Sequence, residues 1–155
     1  MQLLLVGVGR LRPALREVAD DYLRRLNRVV AVEEREVREA GQEGTIALRQ
    51  QQEDERILRL IPDGTAITLL DVTGTGWSSE QLSGQLAEWR LAARDRALVI
   101  GGADGVGSSV RARASQRWSL GPLTLPHELV RVIVAEQLYR AAMILQGHPY
   151  HRGAE

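Results

Sequence analysis

A chain of 155 residues is most simply one domain, residues 1–155, with a full hydrophobic core; its twenty basic and twenty acidic residues cancel, so no net field selects a nucleic acid or a membrane. All twenty bases are arginine, and the absence of cysteine removes disulfides, a thiol nucleophile and thiolate metal sites together, as suits a cytoplasmic protein. Met1 to Gly9 lacks a basic leading region and is too short for a signal peptide or membrane span, so it reads as a buried strand.

Gln2 to Val8 is an apolar run closed by Gly7-Val8-Gly9, the pattern of a strand covered on both faces. Pro13 fits a first helical turn, and Leu15, Val18, Ala19, Tyr22, Leu23 and Leu26 recur at three and four residues until Asn27 stops the helix. Val29 to Val37 is expected to be a strand nearer an edge, followed by a polar loop from Glu39 to Gly44. Thr45 to Ile61 reads as a polar helix anchored by Ile46, Ile57, Leu58, Leu60 and Ile61. A second buried strand, Thr65 to Val72, runs into the glycine-rich loop Thr73-Gly-Thr-Gly76. Ser78 and Gln81 form a capping box, Trp77 and Leu82 a hydrophobic staple, and Leu82, Leu86, Trp89 and Ala93 mark the buried face of the helix that follows. Arg96 to Ile100 is a third buried strand opening into Gly101-Gly-Ala-Asp-Gly-Val-Gly107, and a short helix is expected from Ser108 to Gln116. A short extended segment from Trp118 bends through Gly121-Pro122, and a long helix runs from Pro126 to just before Gly147. Alternating strands and helices of these lengths indicate an α/β fold with a largely parallel sheet flanked by helices.

The last helix is apolar almost all round, from Leu129 and Val130 through Leu138 to Leu145, and a helix without a polar face must be covered on every side. A second copy of the chain is the expected cover. Charge is unevenly spread: residues 33–56 hold eight acids against four arginines, whereas residues 107–155 hold six arginines against three acids. Residues 10–28 show the same six against three, so a basic side facing RNA competes with ordinary solvated helix faces.

Ligands of open α/β sheets lie beyond the carboxyl ends of the strands. Gly7-Val-Gly9 starts like a dinucleotide fingerprint, but Arg12 stands where the third glycine is required, so a tight turn is preferred and a nucleotide-dependent oxidoreductase is disfavoured. Asp71-Val-Thr-Gly-Thr75 lacks the lysine of the P-type ATPase phosphorylation motif. The 101–107 loop lacks the lysine and hydroxyl pair of a P-loop; its Gly-Gly start serves either a sharp turn or a loop whose backbone approaches a flat ligand. His127 opens the long helix, where exposed N–H groups favour an anion, so it either caps the helix or faces a substrate, and Glu136 and Arg140 are spaced to pair on one face. His148 and His151 have no apparent third ligand, so no metal site is expected.

Four segments together resemble one family: Ile100-Gly-Gly-Ala-Asp-Gly105, Trp118-Ser-Leu-Gly-Pro-Leu-Thr-Leu-Pro-His127, Leu129-Val-Arg-Val-Ile-Val-Ala-Glu-Gln-Leu-Tyr-Arg140 and His148-Pro-Tyr-His-Arg152. The chain is similar throughout, including Tyr22-Leu-Arg-Arg25 and Leu70-Asp71, to the bacterial 23S rRNA pseudouridine N3-methyltransferases, small members of the SPOUT superfamily. The resemblance implies a C-terminal deep trefoil knot holding S-adenosyl-L-methionine, and an active site shared across a homodimer. It also implies methylation of N3 of a pseudouridine in a 23S rRNA stem-loop within the assembled 70S ribosome. By motif, the cofactor pocket comprises Leu70, Gly101, Gly102, Gly105, Leu120, Gly121, Pro122, Leu123, Thr124 and Leu125. His127, Arg140, Tyr150 and Arg152 are the implied substrate-positioning residues, with the tail reaching the partner's cofactor. Ala103-Asp104 replaces a common Pro-Glu pair, and residues 41–52 are poor in bases where relatives often carry lysines. The competing reading is a non-catalytic RNA-binding homodimer of the same fold.

Overall fold

The computed structural model describes residues 1–152, the last two by backbone alone. Five strands, β1 (Leu3–Val8), β2 (Val32–Val37), β3 (Ala66–Gly76), β4 (Arg96–Ile100) and β5 (Gln116–Ser119), form one parallel sheet in the order β2-β1-β4-β3-β5. The helices are α1 (Pro13–Leu26), α2 (Ile46–Leu60), α3 (Ser79–Ala92), α4 (Ser108–Arg113) and α5 (His127–Leu145), and a 3-10 turn spans Pro149–Arg152.

Strand alternation divides the core in two. Leu3, Leu5, Leu98 and Ile100 face one side, with Leu26 of α1, Leu86 and Trp89 of α3, and Val134 and Leu138 of α5. Leu4, Val6, Val8, Ala97 and Val99 face the other side, with Ile57 of α2 and Val110 of α4. Strands β1 and β4 are therefore apolar at successive positions because both faces are covered, as expected of a parallel sheet.

Several boundaries differ from the sequence reading. Val29 and Val30 donate to the Leu26 carbonyl in a turn that continues α1, so β2 begins at Val32. Thr73–Gly76 is not a loop: β3 continues through it, with an irregularity between Leu70 and Thr75, and pairs with Trp118 and Ser119. Helix α4 stops at Arg113, and Gln116 already belongs to β5. Ala93 is an exposed left-handed cap rather than part of the buried face of α3. The expected capping box at Ser78 and Gln81 is present.

Gly7 is also not part of a turn. It is the fifth of the six residues of β1, and the Arg131 side chain of α5, 2% exposed, packs directly over it. A Cβ at Gly7 would lie 2.6 Å from Arg131 Nε. The guanidinium donates to the Gly9 carbonyl at 3.0 Å, to Glu34 at 2.8 Å and to Glu36, while Arg16 of α1 closes the network on the same two glutamates. One turn earlier, Glu128 accepts the Arg12 backbone N–H at 2.7 Å. The start of α5 is thus fastened to the β1–α1 connection and to edge strand β2.

Removing one side of a buried ion pair costs about 3–5 kcal/mol because the other charge stays desolvated. Arg131→Ala is expected to lower stability by about that amount, and Gly7→Ala by about 1–3 kcal/mol through overpacking. In urea unfolding the double variant should lose less than the sum, since the methyl group clashes only while the arginine is there. Burial alone would push the Glu36 carboxyl up, but Arg131 and Arg16 hold it below its ordinary value of 4.5. Its stabilisation is therefore complete above that pH and is lost as pH falls through the lower folded value. Glu36→Gln is expected to flatten the acid limb of the stability–pH curve relative to the parent chain.

Candidate active site

At the carboxyl ends of β3 and β4 the connections leave a cleft of about 300 Å³. One wall is Leu70-Asp71-Val72, where β3 leaves its pairing with β4 at its irregularity; the floor is Ile100, Gly101, Gly102, Gly105 and Val106. The segment between β5 and α5 closes the third side with Leu120, Gly121, Leu123, Thr124 and Leu125, and His127 and Val130 complete it from α5. Gly121 has φ +115, a conformation open to glycine, and this lets the chain reverse after Leu120. All the residues carried over for the cofactor pocket line this one cleft except Pro122, which is exposed beside it.

The floor is braced from α2. Arg49 Nε donates to Asp104 at 3.2 Å, and Gln50 donates to the Asp104 carbonyl at 2.7 Å. Asp54, 1% exposed, accepts the N–H groups of Gly107 and Val110 and so caps α4. Arg49 also donates to the carbonyls of Gln42 and Gly44. It is the sole base in residues 41–52, so the region is poor in bases and its one guanidinium is engaged within the chain.

Three titratable groups line the otherwise apolar cleft: Asp71, Arg111 and His127. The Asp71 side chain is 5% exposed, and burial alone would raise its pKa. The Thr73 N–H and hydroxyl and the Arg111 guanidinium reverse this and hold the carboxyl below its ordinary value. His127 places Nε2 3.9 Å from Glu39 Oε1.

Arg140 and Tyr150 lie elsewhere. Arg140 pairs with Glu136 at 2.6 Å, as the spacing predicts, and sits over the Tyr150 ring at 4.9 Å. Tyr150 donates to Glu136 at 3.1 Å and packs edge-on against Tyr139. Burial, then the neighbouring Tyr22 and the Glu136 carboxylate, push the Tyr150 phenol above its ordinary value, so it remains a donor. Thirteen residues of helix put Arg140 roughly 20 Å along α5 from His127, so one chain does not unite the two groups. The Arg152 side chain lies outside the described residues.

Sequence reasoning missed Arg111 and the cleft roles of Ile100, Val106, Trp118 and Val130. Asp71 was readable as a strand-end carboxylate, but nothing in the spacing showed that Arg111, forty residues later, answers it. Among the described residues no helix is long and apolar enough to cross a membrane.

A family profile described as "Predicted SPOUT methyltransferase" matches residues 1–151. The chain is 44% identical to the ribosomal RNA large subunit methyltransferase H of Pseudomonas entomophila, over 98% of this chain and all of that one. The protein of the same name from Azotobacter vinelandii gives the same identity and coverage. That of Hahella chejuensis is 57% identical over a stretch covering 65% of each chain. A solved structure described as a probable methylase family protein from Haemophilus influenzae Rd KW20 superposes with TM-score 0.54 at 9% identity, covering 99% of this chain and 71% of that one, a likeness of fold. The chain belongs to the SPOUT methyltransferase family, among the ribosomal RNA large subunit methyltransferases H.

Proposed function

We propose that the chain transfers a methyl group from S-adenosyl-L-methionine to N3 of a pseudouridine in a 23S rRNA stem-loop of the assembled 70S ribosome. It acts in the cytoplasm as a homodimer of single-domain chains, residues 1–155, with the C-terminal part of each sheet knotted around the cofactor. The observation that carries this reading is the convergence of Leu70, Gly101, Gly102, Gly105 and the Leu120–Leu125 segment on one cleft at the strand ends.

The residues present fit the cofactor. Leu70, Ile100, Leu120, Leu125 and Val130 give apolar surface for a purine ring, and the adjoining backbone from Leu120 to Leu125 has polar groups for its edge. Asp71, Arg111 and His127 supply charge and hydrogen-bonding groups for the polar remainder. When bound, S-adenosyl-L-methionine supplies an activated methyl on its sulfonium centre. The protein's task is then to align the nucleobase and exclude competing geometries, a positioning role that falls to His127, Arg140, Tyr150 and Arg152.

The two ends of α5 support the homodimer. His127 stands beside the cleft, while Arg140 and Tyr150 stand on the far side of a helix whose side chains at Leu129, Val132, Ile133 and Ile144 are only half covered within the chain. A partner chain related by a two-fold axis covers that apolar surface and brings its Arg140, Tyr150 and Arg152 to this chain's cleft.

Calorimetry is expected to show cofactor binding by the purified chain, weakened at least about tenfold in Leu125→Asp, which sets a charge against the apolar wall. Mass mapping of rRNA after incubating 70S ribosomes with labelled cofactor should place the label on one pseudouridine; binding of ribosomes without cofactor or label would favour the non-catalytic reading. Arg152→Ala should leave cofactor affinity intact and reduce turnover. Mixing inactive His127→Ala with inactive Arg140→Ala chains should restore about a quarter of wild-type activity, because half the dimers are mixed and each has one intact site. No recovery on mixing would place both groups in the same chain's site.

A further inference from the structure

The 23 residues from Gly105 to His127, which supply much of the cleft's lining, contain Arg111, Arg113, Arg117 and His127 but no carboxylate. Arg111 and Arg113 lie on α4, Arg111 lining the cleft, and Arg117 lies on β5, the sheet edge opposite β2. Alternation along β5 sends Trp118 into the core shared with α3 and α5, and hence Arg117 to the opposite face, the α4 face.

One carboxylate answers this group. Asp71 Oδ2 bonds Arg111 and lies 3.7 Å from Arg117, whose side chain is 44% exposed. Arg113 is exposed and pairs with no carboxylate among the described residues. Two guanidiniums share this one acid, and with Arg113 the α4–β5 segment carries an excess of two positive charges, in a chain with no net charge. The cleft that Arg111 lines carries two exposed apolar side chains, Val72 at 63% and Leu123 at 75%. Guanidinium forks beside apolar side chains match the alternating phosphates and base faces of an unpaired RNA strand.

We propose that the α4–β5 surface formed by Arg111, Arg113 and Arg117 docks the phosphodiester backbone of the rRNA strand that carries the target nucleotide, with Val72 and Leu123 against a neighbouring base. This deepens the proposed function and rests on it. Asp71 holds Arg111 against the cleft wall, and Arg113 and the loosely held Arg117 are the groups that engage phosphate. Position rather than sequence is what such contacts set, so the surface governs affinity for the ribosome and leaves the methyl-transfer step unchanged.

The test uses the full chain with substitutions Arg113→Ala and Arg117→Ala together, and a second variant with both changed to Glu. With 70S ribosomes the Ala pair should raise KM about tenfold at unchanged kcat, and the Glu pair should raise it further. The slope of log affinity against log salt should fall by about 1.5, the loss expected for two phosphate contacts. Cofactor affinity measured by calorimetry should match the parent chain in both variants, which also certifies that they fold. Unchanged KM and salt slope in both variants would overturn the assignment, as would a parallel loss of cofactor affinity, which would give these arginines to the cofactor's carboxylate. If the parent chain binds cofactor yet methylates no ribosomes, it is the proposed function that fails, and ribosome pull-down of the same variants still decides the docking surface.

Discussion

The structure depends on a cation placed where a parallel sheet ordinarily admits only apolar atoms. Arg131 lies across the end of β1 because Gly7 leaves it room, and it is tolerable there because two glutamates and a carbonyl receive it. An unpaired charge so buried is prohibitive, and a buried pair adds little net stability over an apolar substitute. What the arrangement supplies is direction: α5 can sit in only one place relative to β1 and β2, and His127, one turn earlier, inherits that placement. Edge strand β2 explains why residues 33–36 are so acidic. Glu34 and Glu36 complement Arg131 and Arg16 rather than merely solvating the edge.

Helix α5 then has two distinct ends. Its first turn belongs to the cleft, and its last turns carry a compact group of Glu136, Arg140, Tyr139 and Tyr150 held by an ion pair, ring contacts and a phenol donor. The ion pair is largely covered, its side chains 19% and 17% exposed, and a covered pair adds little net stability over apolar contacts. Its effect is to hold a guanidinium and a phenol in one orientation, which is what a residue offered to another surface requires.

Much of this was legible in the residues. Periodicity, capping signals and apolar runs located the five α-helices of the described residues and β1, β3 and β4, and the glycine-rich stretches after the apolar runs of β3 and β4 pointed to the place where the cleft lies. What escaped was whatever depends on contacts distant in sequence. The strand character of Thr73–Gly76 comes from pairing with Trp118 and Ser119, and propensity cannot signal a partner forty residues away. Gly7 resembled a turn because glycine carries no mark separating a backbone that must bend from one that must leave space. Arg131 was hidden inside an apolar run, where attention fell instead on Arg140, whose partner is four residues away and visible in the spacing. The expected second copy was read from the all-round apolar pattern of the last helix, whereas the expected knot and nucleobase came from family resemblance and from no pattern of charge or period.

The bracing of the 101–107 loop by α2 bears on how tightly a ligand can be held. Asp54 and Gln50 fix the loop's backbone before anything enters the cleft, so its conformational entropy is lost during folding and is not charged again to binding. Affinity at the cleft is therefore coupled to the integrity of a polar helix that does not touch it. A change at Asp54 alters no wall of the cleft, yet it converts a rigid receptor into one that must be ordered by its own ligand.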